Sequence, residues 1–227
     1  MACANPDGLK VTAGSAMATT VGSQLNIRAS NGAVLDWRSF NIAPGEITSF
    51  LQPSAASVVW NRINDPNPSK IFGRLNANGI VVLANQAGFY FGPGSVIKAA
   101  SFVATTSPVS PADPAGGGVW SFTGLPPLAS IVNYGHVESA SGGSVFLIAE
   151  KIENHGTLMA PDGSLGLYAG KEVLVSRRPD GRGLSAQASL PSGVVDNAGK
   201  LHRRCRQHRA PGARGEPGWL GAGELDS

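Results

Sequence analysis

From Val11 to Leu201 the chain is a succession of short β-prone runs of four to seven residues, broken by Asn-Gly, Asp-Gly and Gly-Gly. Gln24 to Arg28, Ile80 to Ala84, Ser144 to Ala149, Ser164 to Tyr168 and Lys171 to Val175 are examples. No window longer than about eleven residues keeps apolar positions at i, i+3, i+4 and i+7, the spacing of an amphipathic helix. The pattern predicts an all-β chain. Ser144 to Ala149 is almost wholly apolar, as in a strand covered on both faces, whereas Leu165 and Leu167 alternate with Gly166 and Tyr168, as in a strand covered on one.

A register emerges when the turns are aligned. Asn31-Gly-Ala-Val, Asn78-Gly79-Ile-Val, Asn133-Tyr-Gly-His-Val, Asn154-His-Gly-Thr-Leu and Asn197-Ala-Gly-Lys-Leu each give a turn residue, a glycine and an apolar strand start. Asn and Gly suit such turns because they enter the left-handed region at little cost. Asn133 to Asn154 is 21 residues and Asn154 to Asn197 is 43, which reads as one period and then two more. Repetition near this length predicts a solenoid, a parallel β-helix with coils stacked about 4.8 Å apart. Roughly 190 residues at about 21 per coil would make eight or nine coils, a rod of about 40 Å. His136 and His155 fall at what look like equivalent turn positions one coil apart.

Composition sharpens this picture. Of 227 residues, 30 are Gly and only 15% are charged, about twice the glycine and well under the charge of an average globular chain. No apolar stretch approaches the roughly 18 residues of a membrane helix, and Met1 to Lys10 lacks the basic and apolar regions of a signal peptide. The net charge of +3 is uneven: residues 1–201 hold 13 Lys+Arg against 12 acids, and residues 202–227 hold five Arg against three. Those arginines have no aromatic interleaving beyond Trp219 and no nucleic-acid-binding motif beside them. Cys3 and Cys205 have neither metal-site nor disulfide-framework spacing.

The same turns carry no complete catalytic constellation. Gly166-Leu-Tyr-Ala-Gly-Lys171 fails as a phosphate loop, because its upstream glycine spacing is wrong and Glu172 stands where Ser or Thr would hold magnesium. There is no Gly-x-Ser-x-Gly elbow. Glu138, Glu150, Glu153 and Asp162 lie near one another in sequence but at turns, and they keep a polysaccharide-acting parallel β-helix enzyme as the alternative reading. No catalytic residue, metal or cofactor is expected.

Several segments then point to a family. Val34-Leu-Asp36-Trp37-Arg-Ser-Phe40-Asn41-Ile-Ala-Pro-Gly-Glu46, Phe50-Leu-Gln-Pro-Ser-Ala55, Asn61-Arg62-Ile63, Asp65-Pro with Pro68-Ser69, Ile71-Phe-Gly-Arg-Leu-Asn-Ala-Asn78-Gly79 and Val81 to Gly92 resemble, in this order, the N-terminal secretion domain of filamentous haemagglutinin-like proteins. Phe102-Val-Ala-Thr-Thr106 resembles the segment that closes that block. The resemblance implies a right-handed parallel β-helix, non-enzymatic and monomeric. It also implies recognition by the periplasmic domains of an outer-membrane β-barrel transporter of the Omp85/two-partner secretion type. Export would run through the periplasm and outer membrane to the cell surface or medium, with adhesion belonging to a downstream region. Asp36, Trp37, Phe40, Asn41, Asn61, Arg62, Asn78 and Gly79 are its signature positions. The family's recognition block usually reads Asn-Pro-Asn-Gly and then an aliphatic residue; here it is Asn85-Gln86-Ala87-Gly88-Phe89. Asn85 and Gly88 retain the special turn positions, while loss of the proline makes the turn less rigid.

The expected organisation is an N-terminal extension (1–10), a secretion domain with the first coils (11–106), a Pro/Gly-rich loop (107–118), further coils (119–201) and a basic tail (202–227). The regular texture stops at Leu201. Codons can be chosen for the tail so that reading one base later gives Ile-Ala-Asp-Ala-Gly-Ser-Ile-Ala-Leu-Gln-Ala-Arg-Gly-Val-Asn-Gln-Asp-Gly-Leu-Val-Gln-Ala-Asn-Ser. That text has the coil pattern at the coil spacing, which suggests a frame change near Leu201 that truncated a longer adhesin.

Overall fold

A computed structural model of the chain describes residues 5–109, 114–115, 118–126, 128–179, 183–189 and 192–202. Among these residues there are 23 strands and no helix. The strands form three sheets of mainly parallel neighbours and one small antiparallel sheet.

The first sheet stacks Lys10–Ala13, Ala33–Trp37, Val58–Ile63, Ile80–Asn85, Ser101–Thr105, Ser144–Ile148 and Ser164–Tyr168. The second stacks Ala16–Val21, Gln24–Ala29, Ile47–Leu51, Arg74–Ala77, Val96–Ala99, His136–Ser139, Thr157–Met159 and Lys200–His202. The third holds Ser69–Ile71, Gly88–Phe91, Ser130–Asn133, Lys151–Asn154 and Val194–Asn197. From Ser69 onward the chain visits the third, second and first sheets in turn, and each strand pairs with the one a circuit earlier. Rows of like residues result: Leu75, Ile97, Val137 and Leu158 lie side by side, with Leu201 next. The first four are fully buried. Aliphatic columns of this kind make up much of the main core, into which Trp37, Phe40, Phe50, Phe89, Phe91 and Phe102 also pack.

The chain's first strands reverse the direction. Lys10–Ala13 runs antiparallel to Ala33–Trp37, and Ala16–Val21 runs antiparallel to Gln24–Ala29. The stretch from Val11, expected to open the coils, is therefore a cap over the first one.

Two excursions leave the circuit between the first and third sheets. Trp120–Thr123, from the first, pairs antiparallel with Glu172–Arg177, from the second, which pairs in turn with Leu184–Ala188. This small sheet covers the outer face of the first sheet and makes a second core. Trp120, Phe122, Val173, Val175 and Leu184 pack there against Val34, Trp60, Val82, Val103, Phe146 and Ile148. Trp60 meets Trp120 edge-on at 4.8 Å, and its indole N–H donates to Pro114 O at 2.9 Å. Much of the first sheet is thus covered on both sides, and Ile80-Val-Val-Leu-Ala84 and Ser144-Val-Phe-Leu-Ile148 read as almost wholly apolar runs.

The excursions correct two expectations. Lys171 to Val175 has the alternation of a coil strand but belongs to the antiparallel sheet. The 43 residues from Asn154 to Asn197 are also one circuit containing an excursion, because these two residues are direct neighbours. The longest parallel stack therefore has seven strands, about 30 Å in all at the strand spacing, instead of eight or nine coils.

Asn133, Asn154 and Asn197 form a ladder at the end of the third sheet. Asn133 Nδ2 donates to Asn154 Oδ1 and Asn154 Nδ2 donates to Asn197 Oδ1, both at 2.7 Å. Asn133 Oδ1 also accepts Gly135 N–H at 3.0 Å, closing its turn.

Candidate partner-recognition face

Asp36 and Arg62 lie opposite each other on adjacent strands of the first sheet. Arg62 Nε donates to Asp36 Oδ1 at 2.6 Å and Arg62 Nη2 to Asp36 Oδ2 at 2.9 Å. This is a forked pair that fixes the guanidinium plane. A further bond from Nη2 to Thr12 Oγ1, 3.0 Å, ties the pair to the cap. One residue along each strand the side chains point inward. There the Trp37 indole N–H donates to Asn61 Oδ1 at 2.9 Å, Asn61 Nδ2 donates to Val82 O at 3.2 Å, and Phe40 packs edge-on against Trp37 at 5.6 Å. Trp37, Asn61 and Phe40 are all buried. A buried indole N–H and a buried carboxamide each need a partner, and here each is the other's.

The turn after Ile80–Asn85 is built by its own residues. Asn85 is buried, and its Oδ1 accepts Ala87 N–H at 2.9 Å while Nδ2 donates to Ser69 Oγ at 3.0 Å and Asn67 O at 3.2 Å. Gly88 has φ +108°, and a Cβ there would stand 2.4 Å from Ser130 O, so only glycine fits. Phe89 is buried and stacks with Phe91 at 5.8 Å. Of the five recognition-block residues, Gln86 alone is exposed. It lines a polar cleft of about 330 Å³ together with Asp36, Arg62, Asn64, Ser107 and Pro108.

The remaining signature residues sit elsewhere. Asn41 Oδ1 accepts Lys70 N–H at 2.8 Å, on the rim of another open groove that includes Phe72 and Asp65. Asn78 exchanges two 2.7 Å bonds with the Gln52 backbone, and Gly79 lies where a Cβ would strike the Gln52 side chain. The fold brings together Asp36, Arg62 and Gln86, and separately Trp37, Asn61 and Phe40.

Sequence spacing missed an aromatic row. Phe72, Tyr90, Tyr134 and His155 lie side by side at 5.7, 5.9 and 4.7 Å on successive circuits. His155 stacks on Tyr134, one circuit earlier, whereas His136 pairs in register with Thr157. The two histidines are not equivalent, because each Asn-x-Gly turn places x, and not the residue after glycine, in this column.

The four clustered acids each have a partner. Glu138 Oε2 is 3.1 Å from Lys98 Nζ and 3.3 Å from His136 Nε2. Burial pushes its carboxyl up, but the hydrogen bonds and charges of Lys98 and His136 outweigh it and hold it below the ordinary glutamate range. Glu153 is 2.7 Å from Lys151, whose hydrogen bond holds its carboxyl low. Glu150 accepts from Ser192 Oγ, and Asp162 from Ser141 Oγ, at 2.9 Å. No group of three or more His, Cys, Asp or Glu that could hold a metal occurs among the described residues.

The chain belongs to the TPS secretion domain family, whose model matches residues 2–202, and is an exported two-partner secretion protein. It is 29% identical over 201 residues to a heme/hemopexin-binding protein of Haemophilus influenzae, covering 86% of this chain and 22% of that protein. A second Haemophilus influenzae heme/hemopexin-binding protein is 39% identical over 88 residues, 39% of this chain. The chain thus spans about a fifth of the length of the first of these relatives. Among solved structures, the crystal structure of the HMW1 secretion domain from Haemophilus influenzae aligns with a TM-score of 0.77 at 29% identity. It covers 87% of this chain and 53% of that one. The family is one of secretion domains of adhesin-like exoproteins, not of enzymes.

Proposed function

We propose that this chain is the secretion domain of a filamentous haemagglutinin-like adhesin. It is recognised in the periplasm by the periplasmic domains of an Omp85-type outer-membrane transporter and exported through it. We take the three parallel sheets to be the faces of a right-handed β-helix, the hand that parallel crossovers adopt almost without exception. The domain acts as a monomer. Each circuit contacts mainly the circuits next to it in the stack, so a chain emerging from a pore can fold circuit by circuit.

The observation that carries the recognition site is the convergence of Gln86 with the Asp36–Arg62 pair in one polar cleft. Asn85, Gly88 and Phe89 hold the turn, and Gln86 with the cleft rim makes the contact. The test is calorimetric titration of the chain with the purified periplasmic domains of its cognate transporter. Binding in the micromolar range is expected, weakened at least tenfold by Gln86→Arg with no change in melting temperature. Absence of binding at high micromolar concentration refutes the function. Full binding by Gln86→Arg refutes the cleft alone.

A further inference from the structure

The two ends of the circuit stack differ. At the start, antiparallel strands cover the first coil. At the other end, rows that are fully buried one circuit earlier lie open: Ile152 and Leu158 are 0% exposed, but their neighbours Val195 and Leu201 are 42% and 45% exposed. Leu165 and Leu167, beside fully buried Val145 and Leu147, are only partly covered. Among the described residues no further strand pairs with this end, an apolar face shaped for one more circuit of this same fold.

We infer that its occupant is encoded in the codons of residues 202–227, read one base later. The inference rests on register. Leu201 pairs with Leu158; two residues on, Ala160-x-x-Gly163-Ser164-Leu165-x-Leu167-x-Ala169 leads into and through the last strand of the first sheet. Ala140-x-x-Gly143-Ser144-Val145-x-Leu147-x-Ala149 does the same one circuit earlier. With permitted codons the shifted frame reads Ala-x-x-Gly-Ser-Ile-x-Leu-x-Ala, also two residues after Leu201. Its Ile and Leu fall on the open positions above Leu165 and Leu167. Its glycine falls above Gly163 and Gly143, where a Cβ on Gly163 would meet Gly143 O at 1.6 Å.

The genetic code constrains three of the shifted positions tightly. Gln207-His208 can shift only to Asn or Ser, and His208-Arg209 only to Ile or Thr. Trp219-Leu220 shifts to glycine whatever codons are used. That obligatory glycine lies seven residues after the shifted motif's last alanine, as Gly156 lies seven after Ala149. It therefore stacks on the column of Gly135, Gly156 and Gly199, where a Cβ would meet the backbone of the circuit before, at 2.2 Å for Gly156 and 2.3 Å for Gly199. The family match also stops at residue 202, where the two frames diverge.

Two measurements decide it. The coding DNA must carry the third bases that the shifted motif requires, above all CAG for Gln207 and CAT for His202 and His208; bases giving Asn or Thr there overturn the inference. Independently, a chain of residues 1–201 followed by the shifted text is compared with the 227-residue chain. A melting temperature higher by about 5 °C or more is expected, with slower amide exchange at Val195 and Leu201. In the extended chain, Asp in place of the new Ile and Leu should abolish the gain. An extended chain with unchanged melting and exchange overturns the inference, and so does a gain that survives the aspartates.

Discussion

Asn154 is the middle rung of the carboxamide ladder, and its replacement by alanine tests how the circuits are locked together. Asn154→Ala removes two 2.7 Å bonds, one from Asn133 Nδ2 and one to Asn197 Oδ1. A hydrogen bond contributes about 1 kcal/mol net, and a buried group left without its partner costs about 1–3 kcal/mol. Asn133 is fully buried, and its Nδ2 would keep only a 3.5 Å contact with Gly135 O; Asn197 is exposed and would find water. The expected loss is therefore about 2–4 kcal/mol, or roughly 5–15 °C in melting temperature for a chain of this size. Asn197→Ala, which removes one bond at the exposed end, should cost about 1 kcal/mol or less. Urea unfolding of both variants and of the double variant gives the test. Because the two share a bond, their costs should fall short of additive by about 1 kcal/mol. Equal costs for the middle and end rungs, or strict additivity, would refute the ladder as a stabilising element.

Gly88→Ala should lower stability by about 1–3 kcal/mol from the left-handed backbone alone, with more from the collision at Ser130 O. A neutral result in thermal unfolding would contradict the turn geometry. Glu138 and Glu153 have folded-state carboxyls below the ordinary range, so their contribution is present above about pH 4.3 and disappears as pH falls through the folded values. The double variant Glu138→Gln with Glu153→Gln should flatten the acid limb of a stability–pH profile; an unchanged limb would place the acid sensitivity elsewhere.

Much of the fold is legible in the sequence because its repeat is written in turns. Asn133, Asn154 and Asn197 announce a column that the structure realises as a ladder, and the apolar run Ser144 to Ala149 announces a doubly covered strand. The cover itself is not legible. Glu172–Arg177 alternates like any half-buried strand, and alternation does not say whether a strand pairs parallel in a coil or antiparallel outside it. One circuit with an excursion therefore looks like two. The cleft is hidden for a related reason: Asp36 and Arg62 are 26 residues apart and Arg62 and Ala84 are 22, so uneven circuits give no spacing that pairs them. His155 finds Tyr134 only once the residue between Asn and Gly is known to define the column.

The closed start of the stack sets a limit on assembly. A head-to-tail filament needs two complementary ends, one on each face of every copy. Here Lys10–Ala13 and Ala16–Val21 run against the strand direction and occupy one of them. A copy docking there would have to pair with Lys10–Ala13 or Ala16–Val21, the outermost strands of their sheets, and could not continue the parallel stack. A continuous parallel column of circuits is therefore interrupted at the start of every copy.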